Sequence, residues 1–185
     1  MRKFAILVVL ALGLVVGACG GSSGGGSTAD PVGAVNSLIN AVVAKQSDKI
    51  PPLLCTAKRD DLTKKFDLTA ALAAAPSGVD MKSIISSMTI TTKDLAVTQK
   101  SATADAAVVH VKGTLLMNMP DDKLKEYIKT LMSQSGQTPT DDQVSQMVTT
   151  FKDQLTKGQA MDSDVDVVKE GSTWLVCGDF TTTPG

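Results

Sequence analysis

The fold of this chain follows from one stretch of alternating polar and apolar residues, Met161-Asp162-Ser163-Asp164-Val165-Asp166-Val167-Val168-Lys169. A period of two residues is typical of a β-strand with one face on a core, so Val165 and Val167 are expected to face inward. The turn residues Glu170-Gly171-Ser172 follow, and a second strand is predicted from Thr173 to Phe180. The C-terminal part of the chain therefore predicts a closing β-hairpin.

Two more strands are predicted upstream of the hairpin, because Thr, Val and Ile are enriched there with the same period. Met88 to Gln99 is the first, and its apolar parity switches between Ile90 and Leu95, which predicts a bulge near Thr92. Thr103 to Met119 is the second and longer strand. Its inward face is predicted to carry Ala107, Val109, Val111 and Leu115.

Helical spacing precedes these strands. Asp30 and Pro31 are typical of an N-cap and a first helical position. The apolar residues that follow recur every three or four positions, which predicts an amphipathic helix; they are Val32, Val35, Leu38, Ile39, Val42 and Val43. Further helices are predicted for a segment capped by Ser47-Asp48 that contains Ile50, Leu53 and Leu54, and at Asp60 to Phe66, Leu68 to Ala75 and Asp80 to Ser87.

A two-helix insertion is predicted between the second and third strands. Pro120-Asp121-Asp122 begins one helix, and Thr140 with Gln143 forms a capping box for the next, which Gly158 ends. The two apolar stripes are Leu124, Ile128, Leu131 and Met132, and Val144, Met147, Val148, Phe151 and Leu155. Several helices followed by about four strands make the predicted fold class α+β.

The start of the chain resembles the signal peptide of bacterial lipoproteins. Arg2 and Lys3 precede an apolar run from Phe4 to Val16, and the small residues Gly17-Ala18 stand before Cys19. The resemblance implies an acylated Cys19 as the new N-terminus, which anchors the protein to the outer face of the cytoplasmic membrane. An ordinary secretory signal or an uncleaved anchor is the alternative. The predicted organisation is a signal peptide at 1–18, a Gly/Ser tether at 19–29 and one domain at 30–185.

Two cysteines remain once Cys19 is assigned to the lipid anchor. Export places Cys55 and Cys177 in an oxidising compartment, where a pair of buried cysteines is most simply a disulfide. Two separate buried thiols are the alternative. A catalytic cysteine is disfavoured because His110 is the one histidine available as its partner.

The charge of the chain excludes one class of partner. After removal of Arg2 and Lys3, 16 of the 18 basic residues remain against 19 acidic ones, and they form no basic block. Nucleic acids and anionic membrane surfaces are therefore disfavoured. Aromatic residues make up 3% of the sequence, which also disfavours a stacking platform for bases or sugars. A monomer is expected.

The layout of the chain resembles small bacterial lipoproteins of the nuclear-transport-factor-2-like, cystatin-like superfamily. The resemblance covers Asp30 to Phe180 and is carried by the opening helix, the turn with Asp48 before Leu53-Leu54, the strand Ala104-Asp105-Ala106-Ala107-Val108-Val109, and the ending Glu170-Gly171-Ser172-Thr173-Trp174-Leu175-Val176. It implies a strongly curved antiparallel sheet around the first helix, which forms a cone whose open end holds a small molecule. Members of the superfamily include enzymes and binding modules.

Catalytic, metal and cofactor sites are not expected. Isomerase-like relatives place a Tyr and two carboxylic acids in the cone, whereas the one tyrosine here, Tyr127, belongs to the insertion. His110 shares the outer face of its strand with Val108 and Lys112. Asp162, Asp164 and Asp166 suggest a calcium-binding loop. That loop motif needs Gly at its sixth position and Glu at its twelfth, where this chain has Val167 and Thr173. The three acids therefore indicate an edge strand instead.

The insertion is rich in methionine, which forms adaptable apolar surfaces. One interpretation is that these residues fill the core between helices and sheet. A second is that the helices cover the cone as a mobile lid and face an apolar or lipid ligand, and a third is that they dock an envelope protein. The candidate ligand-facing residues are Met117, Met119, Leu131, Met132, Met147 and Phe151.

The sequence as a whole predicts a non-enzymatic binding or interaction module. The alternatives are an isomerase- or dehydratase-like enzyme in the same cone and a purely structural or protein-docking lipoprotein. The half-barrel lipid carriers of the bacterial envelope are an alternative fold, but their strands begin soon after the first helix. Here the helical pattern continues from Val32 to about Ser87.

Overall fold

The computed structural model describes residues 28–66, 80–136, 138–180 and 182–184. Its helices are α1 (Pro31–Val43), α2 (Arg59–Phe66), α3 (Met81–Ser87), α4 (Asp121–Gln134) and α5 (Asp141–Lys157). Its strands are β1 (Thr89–Ala102), β2 (Ala106–Asn118), β3 (Gln159–Glu170), β4 (Thr173–Val176) and β5 (Thr182–Pro184). The helix predicted at Leu68 to Ala75 lies outside the described residues.

The strands form one antiparallel sheet in the order β1-β2-β3-β4, and β5 pairs with the beginning of β3. The sheet curls into a half-barrel around α1, which contacts β1, β2, β3 and β4. The core lies between them, and its fully buried members include Val35, Leu38, Val109, Val111, Val165, Val167 and Val176. The predicted α+β fold, with helices on a curved sheet and a two-helix insertion between β2 and β3, is confirmed.

The beginning of α1 follows its sequence signals. Asp30 is the N-cap, and its Oδ1 accepts a hydrogen bond of 2.8 Å from the backbone N–H of Gly33. Pro31 occupies the first helical position, where no N–H donor is needed. Because the apolar stripe of α1 contacts every strand from β1 to β4, this one helix sets the curvature of the concave face.

The predicted bulge in β1 is present, two residues later than expected. The register between β1 and β2 shifts between Lys93 and Ala96, and Asp94 adopts a φ of 52°. Gly113 lies opposite on β2, where a Cβ would stand 3.0 Å from the Cα of Leu95. The bulge therefore lies so close to Gly113 that this position has no room for a side chain.

The helix predicted around Ile50 is wrong. The chain forms two 3-10 turns, Ser47–Lys49 and Pro51–Leu53, without a side-chain cap from Ser47. The two prolines of Pro51-Pro52 lack N–H donors, so an α-helical hydrogen-bond ladder cannot continue through them. Leu54 then forms a parallel bridge with Val176. Cys55, the next residue, precedes the 3-10 turn Thr56–Lys58 that leads to α2.

The prediction that β3 is an edge strand is also wrong. β2 pairs along one side of β3, while β4 and β5 pair with opposite ends of its other side. β4 is shorter than predicted because the backbone N–H groups of Cys177 and Gly178 both donate to the carbonyl of Asp166, at 2.7 and 3.2 Å. Between the two short partners, this turn of the chain thus binds β3 at Asp166.

The inserted helices bury their stripes mainly against each other. Their shared cluster consists of Leu124, Ile128, Met132, Val144 and Val148. α5 also contacts β2, and α4 contacts α3. The predicted capping box is present, since the Thr140 hydroxyl accepts from the Gln143 N–H and the Gln143 side chain accepts from the Thr140 N–H. None of the helices that the structure describes has the length and hydropathy needed to cross a bilayer.

Lys45 joins the end of α1 to the end of α3. Its ammonium donates to the carbonyl oxygens of Ile85, Ser86 and Met88, at 3.2, 3.0 and 2.6 Å. These carbonyls stand at the C-terminal end of α3, where a cation complements the helix dipole. The contact fixes the point at which the chain leaves its helices and enters β1.

Candidate functional site

An apolar cavity of about 350 Å³ lies between α1 and the concave face of the sheet. Of the eleven described residues that line it, eight are apolar, and they are Ile39, Val42, Phe66, Ile90, Leu115, Met117, Met161 and Phe180. The three polar lining residues are Lys65, Gln159 and Asp179. The walls come from α1, the end of α2, the three strands β1, β2 and β3, and the segment after β4.

The strand part of the wall follows from side-chain alternation. Leu115 and Met117 continue the inward face that Val109 and Val111 begin on β2. Ile90 on β1 is the register partner of Met117, and it is buried. The buried part of the core lies nearer the β3–β4 hairpin, so the same inward face packs against α1 at one end and lines the cavity at the other.

Four residues form the mouth of the cavity, two from the end of α2 and two from the segment after β4. Phe66 and Phe180 meet edge to face, with ring centroids 5.5 Å apart and an interplanar angle of 62°. Next to them, Lys65 donates a hydrogen bond to Asp179 and pairs with its charge. The side chains of this ion pair are 56% and 52% exposed, so the polar end of the cavity faces solvent.

The disulfide between Cys55 and Cys177 lies behind the mouth and ties its two sides together, with a Cα–Cα distance of 5.2 Å. Cys55 precedes α2 by four residues, and Cys177 precedes Asp179 by two. The backbone N–H of Cys55 also donates to the carbonyl of Val176 at 2.9 Å. The pairing predicted from the sequence thus fixes both segments that carry the mouth.

A second contact orients α2. The Glu170 carboxylate accepts hydrogen bonds from the hydroxyl and the backbone N–H of Thr56, at 2.6 and 2.8 Å. These two bonds lower the pKa of Glu170. Thr56 begins the 3-10 turn that runs into α2, so a carboxylate from the β3–β4 hairpin holds the helix start in place.

The candidate ligand-facing residues fall in two places. Met117 lines the cavity. Met132 is buried in the cluster between α4 and α5, and Met119, Met147 and Phe151 pack against that cluster. Leu131 is half-buried on α4. The described walls of the cavity contain no residue of the inserted helices, because those helices bury their stripes on each other.

His110 lies on the convex face of the sheet, as predicted, and takes part in an exposed ion network. Its Nδ1 is 2.8 Å from Asp164 Oδ1, and its Nε2 is 3.5 Å from Asp162 Oδ1. Lys100 donates to the other oxygen of Asp164 at 2.7 Å. Hydrogen bonds from Lys100 and His110 lower the pKa of Asp164. Within the described ranges, no group of three or more His, Cys, Asp or Glu is arranged to hold a metal ion.

Sequence reasoning missed the four mouth residues, because each contact joins positions 114 residues apart. One signal was available in the sequence. Both segments contain a charged residue followed directly by Phe, and each lies a short distance after one of the paired cysteines. A disulfide between those cysteines brings the two dipeptides to the same end of the sheet.

The cavity has mostly apolar walls and one ion pair, Lys65 with Asp179, at its mouth. Its one described carboxyl, Asp179, accepts a hydrogen bond from Lys65, which lowers its pKa. Tyr127 packs against the cluster between the inserted helices, away from the cavity. The chain matches no protein-family model, and no curated protein matches it significantly. Its function is therefore inferred from the cavity and from the sequence patterns.

Proposed function

We propose that this chain is a membrane-anchored envelope lipoprotein whose folded domain holds a small apolar ligand and catalyses no reaction. The observation that carries the proposal is the cavity between α1 and the concave face of the sheet. Its volume of about 350 Å³ and its mostly apolar walls are typical of small-molecule binding sites. The ion pair of Lys65 with Asp179 stands at the mouth, where it offers a polar contact to one end of a bound molecule.

Binding is favoured over catalysis by the state of the one carboxyl at the cavity. A general acid or base works best with a pKa near the operating pH. Asp179 has a lowered pKa instead and is held by Lys65 in a solvent-facing ion pair. An isomerase-like site needs a carboxyl kept protonated by an apolar environment, and Asp179 has the opposite environment.

The resemblance to nuclear-transport-factor-2-like lipoproteins supports the same proposal. A curved antiparallel sheet around the first helix is the arrangement that the resemblance implies, and the cavity lies inside that curve. Cys19 and the Gly/Ser tether that follows it supply the membrane anchor, and two acyl chains are sufficient for stable attachment. The domain then works at the outer face of the cytoplasmic membrane as a monomer.

The path of the chain separates the tether from part of the cavity. The backbone N–H of Trp174 donates to the carbonyl of Thr28 at 2.9 Å, so the tether enters the domain beside the β3–β4 hairpin. Trp174 pairs with Lys169, and Met161 in the cavity wall lies eight residues back along β3. Eight residues of strand span about 26 Å. The Met161 wall of the cavity is therefore at the end of β3 remote from the point where the tether enters the domain.

Native mass spectrometry of the protein purified from its own host tests the proposal. The Cys19→Ser chain, exported through an ordinary cleavable secretory signal in place of residues 1–18, is expected to carry a reproducible small-molecule adduct. Val42→Phe, which fills the cavity from α1, is expected to lose the adduct. Val43→Phe is the matched control, because Val43 is equally half-buried but does not line the cavity, and it is expected to keep the adduct. An adduct that both variants keep, or no adduct at all, contradicts the proposal.

A further inference from the structure

The three polar residues at the cavity differ in what they offer to a ligand. The Lys65 ammonium has three N–H donors, and one is used by Asp179. Asp179 is already engaged by Lys65, and the charge of nearby Lys58 also acts on it. Among the described residues, Asp179 is the one that accepts a hydrogen bond from the Lys65 ammonium, so two donors of Lys65 remain for a ligand.

The rest of the cavity suits an apolar body. Its described walls beyond the mouth consist of aliphatic side chains and Met from α1, β1, β2 and β3, and Gln159 is the one polar side chain among them. If one methylene group takes about the volume of one water molecule, ~30 Å³, a cavity of about 350 Å³ holds roughly a dozen methylene groups. The dimensions fit a single medium-length alkyl chain.

Resting on the proposed function, we infer that the ligand is a single-chain amphiphile with an anionic head group, a carboxylate or a phosphate monoester, whose alkyl chain fills the cavity and whose head group binds Lys65 at the mouth. A charge-assisted hydrogen bond from an ammonium to such a head group is stronger than a neutral one. A cationic head group is disfavoured because the Lys65 ammonium at the mouth repels a like charge. Gln159, half-buried at the same cavity, adds an uncharged amide donor.

Four probes of equal chain length test the head-group preference on the mature chain beginning at Cys19→Ser. They are dodecanoate, dodecyl phosphate, dodecanol and dodecyltrimethylammonium, each titrated below its micelle concentration by calorimetry. Dodecanoate and dodecyl phosphate are expected to bind about tenfold more tightly than dodecanol, as one charge-assisted hydrogen bond allows. The cationic probe is expected to bind more weakly than dodecanol. A tighter carboxylate indicates a free fatty acid as the source, and a tighter phosphate indicates a lipid phosphate.

Three variants locate the preference at the mouth. Lys65→Met is expected to bring dodecanoate within about twofold of dodecanol, because the charge-assisted donor to the anionic head group is lost. Asp179→Asn removes the competing carboxylate, so it is expected to strengthen dodecanoate binding several-fold. Lys64→Met is the matched control, since Lys64 is exposed on the same helix and does not line the cavity, and it is expected to change neither probe.

The outcomes separate this inference from the proposed function. Equal binding of dodecanoate and dodecanol, or a Lys65→Met variant that keeps the anion preference, overturns the head-group assignment and leaves the apolar cavity in place. Preferred binding of the cationic probe overturns it as well. Failure of all four probes to bind contradicts the proposed function itself together with the inference.

Discussion

Phe66 and Phe180 meet edge to face at the mouth of the cavity, 5.5 Å apart between ring centroids, although 114 residues separate them in the chain. The disulfide of Cys55 with Cys177 lies behind them and brings together the two segments that carry the rings. The mouth of the cavity therefore depends on one aromatic pair and one ion pair, and a single disulfide joins the two segments that carry them.

The aromatic pair is expected to contribute to stability beyond the area that each ring buries. Edge-to-face pairs are worth about 0.5 to 1.5 kcal/mol in double-mutant cycles. Phe66→Leu, Phe180→Leu and the double variant are expected to show a coupling of that size in the free energy of unfolding, measured with denaturant. The matched cycle of Phe66→Leu with Phe151→Leu is expected to be additive, because Phe151 packs in the other cluster. Equal coupling in both cycles contradicts the contact.

The ion pair at the mouth is expected to appear in the titration of Asp179. A hydrogen bond from Lys65 lowers the pKa of this carboxyl below its usual value of about 3.9. Since the folded pKa is the lower one, the pair stabilises the fold above the unfolded pKa, and that contribution is lost as pH falls through the folded pKa. The effect on stability is small because both side chains are half-exposed.

Carboxyl NMR resolves this titration residue by residue. Lys65→Met is expected to raise the pKa of Asp179 toward its usual value, while Lys64→Met leaves it unchanged. An Asp179 titration that is the same in wild type and Lys65→Met is incompatible with the pair.

The disulfide is expected to stabilise the domain strongly. Its cysteines are 122 residues apart, and a loop of that size corresponds to about 4 to 5 kcal/mol in the chain-entropy model. Denaturant unfolding with and without a reducing agent measures the difference. A Cys55→Ala, Cys177→Ala variant is expected to match the reduced wild type under both conditions. Two reactive thiols in the denatured, unreduced protein are the result that rules the bridge out.

Gly158 is expected to be irreplaceable at the end of α5. Its φ is +76°, and a Cβ would stand 2.7 Å from the carbonyl oxygen of Leu115. Gly158→Ala therefore combines backbone strain with a clash against β2. Gly136 also has a φ of +76° but nothing within 4 Å of its Cβ position, so Gly136→Ala reports the cost of a positive φ without a clash, about 1 to 2 kcal/mol. Thermal unfolding is expected to rank Gly158→Ala well below Gly136→Ala, and equal melting temperatures contradict the close approach.

Much of the fold was predictable because side-chain periodicity reflects which face is buried. The alternation around Val109 and Val165 assigned the concave face correctly, and the Asp30 cap and the Thr140 box fixed two helix starts. The secondary-structure predictions failed where the spacing of apolar residues was not enough to decide the local structure. Because Pro51 and Pro52 lack N–H donors, 3-10 turns form where a helix was predicted. β5 was not predicted, because a strand of three residues is too short to show a two-residue alternation.

The candidate site was predictable only where it follows strand alternation. Met117 lines the cavity because it continues the inward face of β2. Met132 and Met147 lie on apolar helix stripes of the kind that can bind a ligand. The sequence does not show what packs against such a stripe, and here the stripe of the neighbouring helix packs against it. Lys65 and Asp179 come from distant parts of the chain, so no local pattern joins them.

The most direct test of the central claim compares methionines in the two places. With methyl-labelled methionine, addition of dodecanoate to the mature chain beginning at Cys19→Ser is expected to shift the methyl signals of Met117 and Met161, which line the cavity. The signals of Met132 and Met147, in and against the cluster between α4 and α5, are expected to stay in place. Unchanged Met117 and Met161 signals at saturating dodecanoate, or shifts confined to Met132 and Met147, contradict the account.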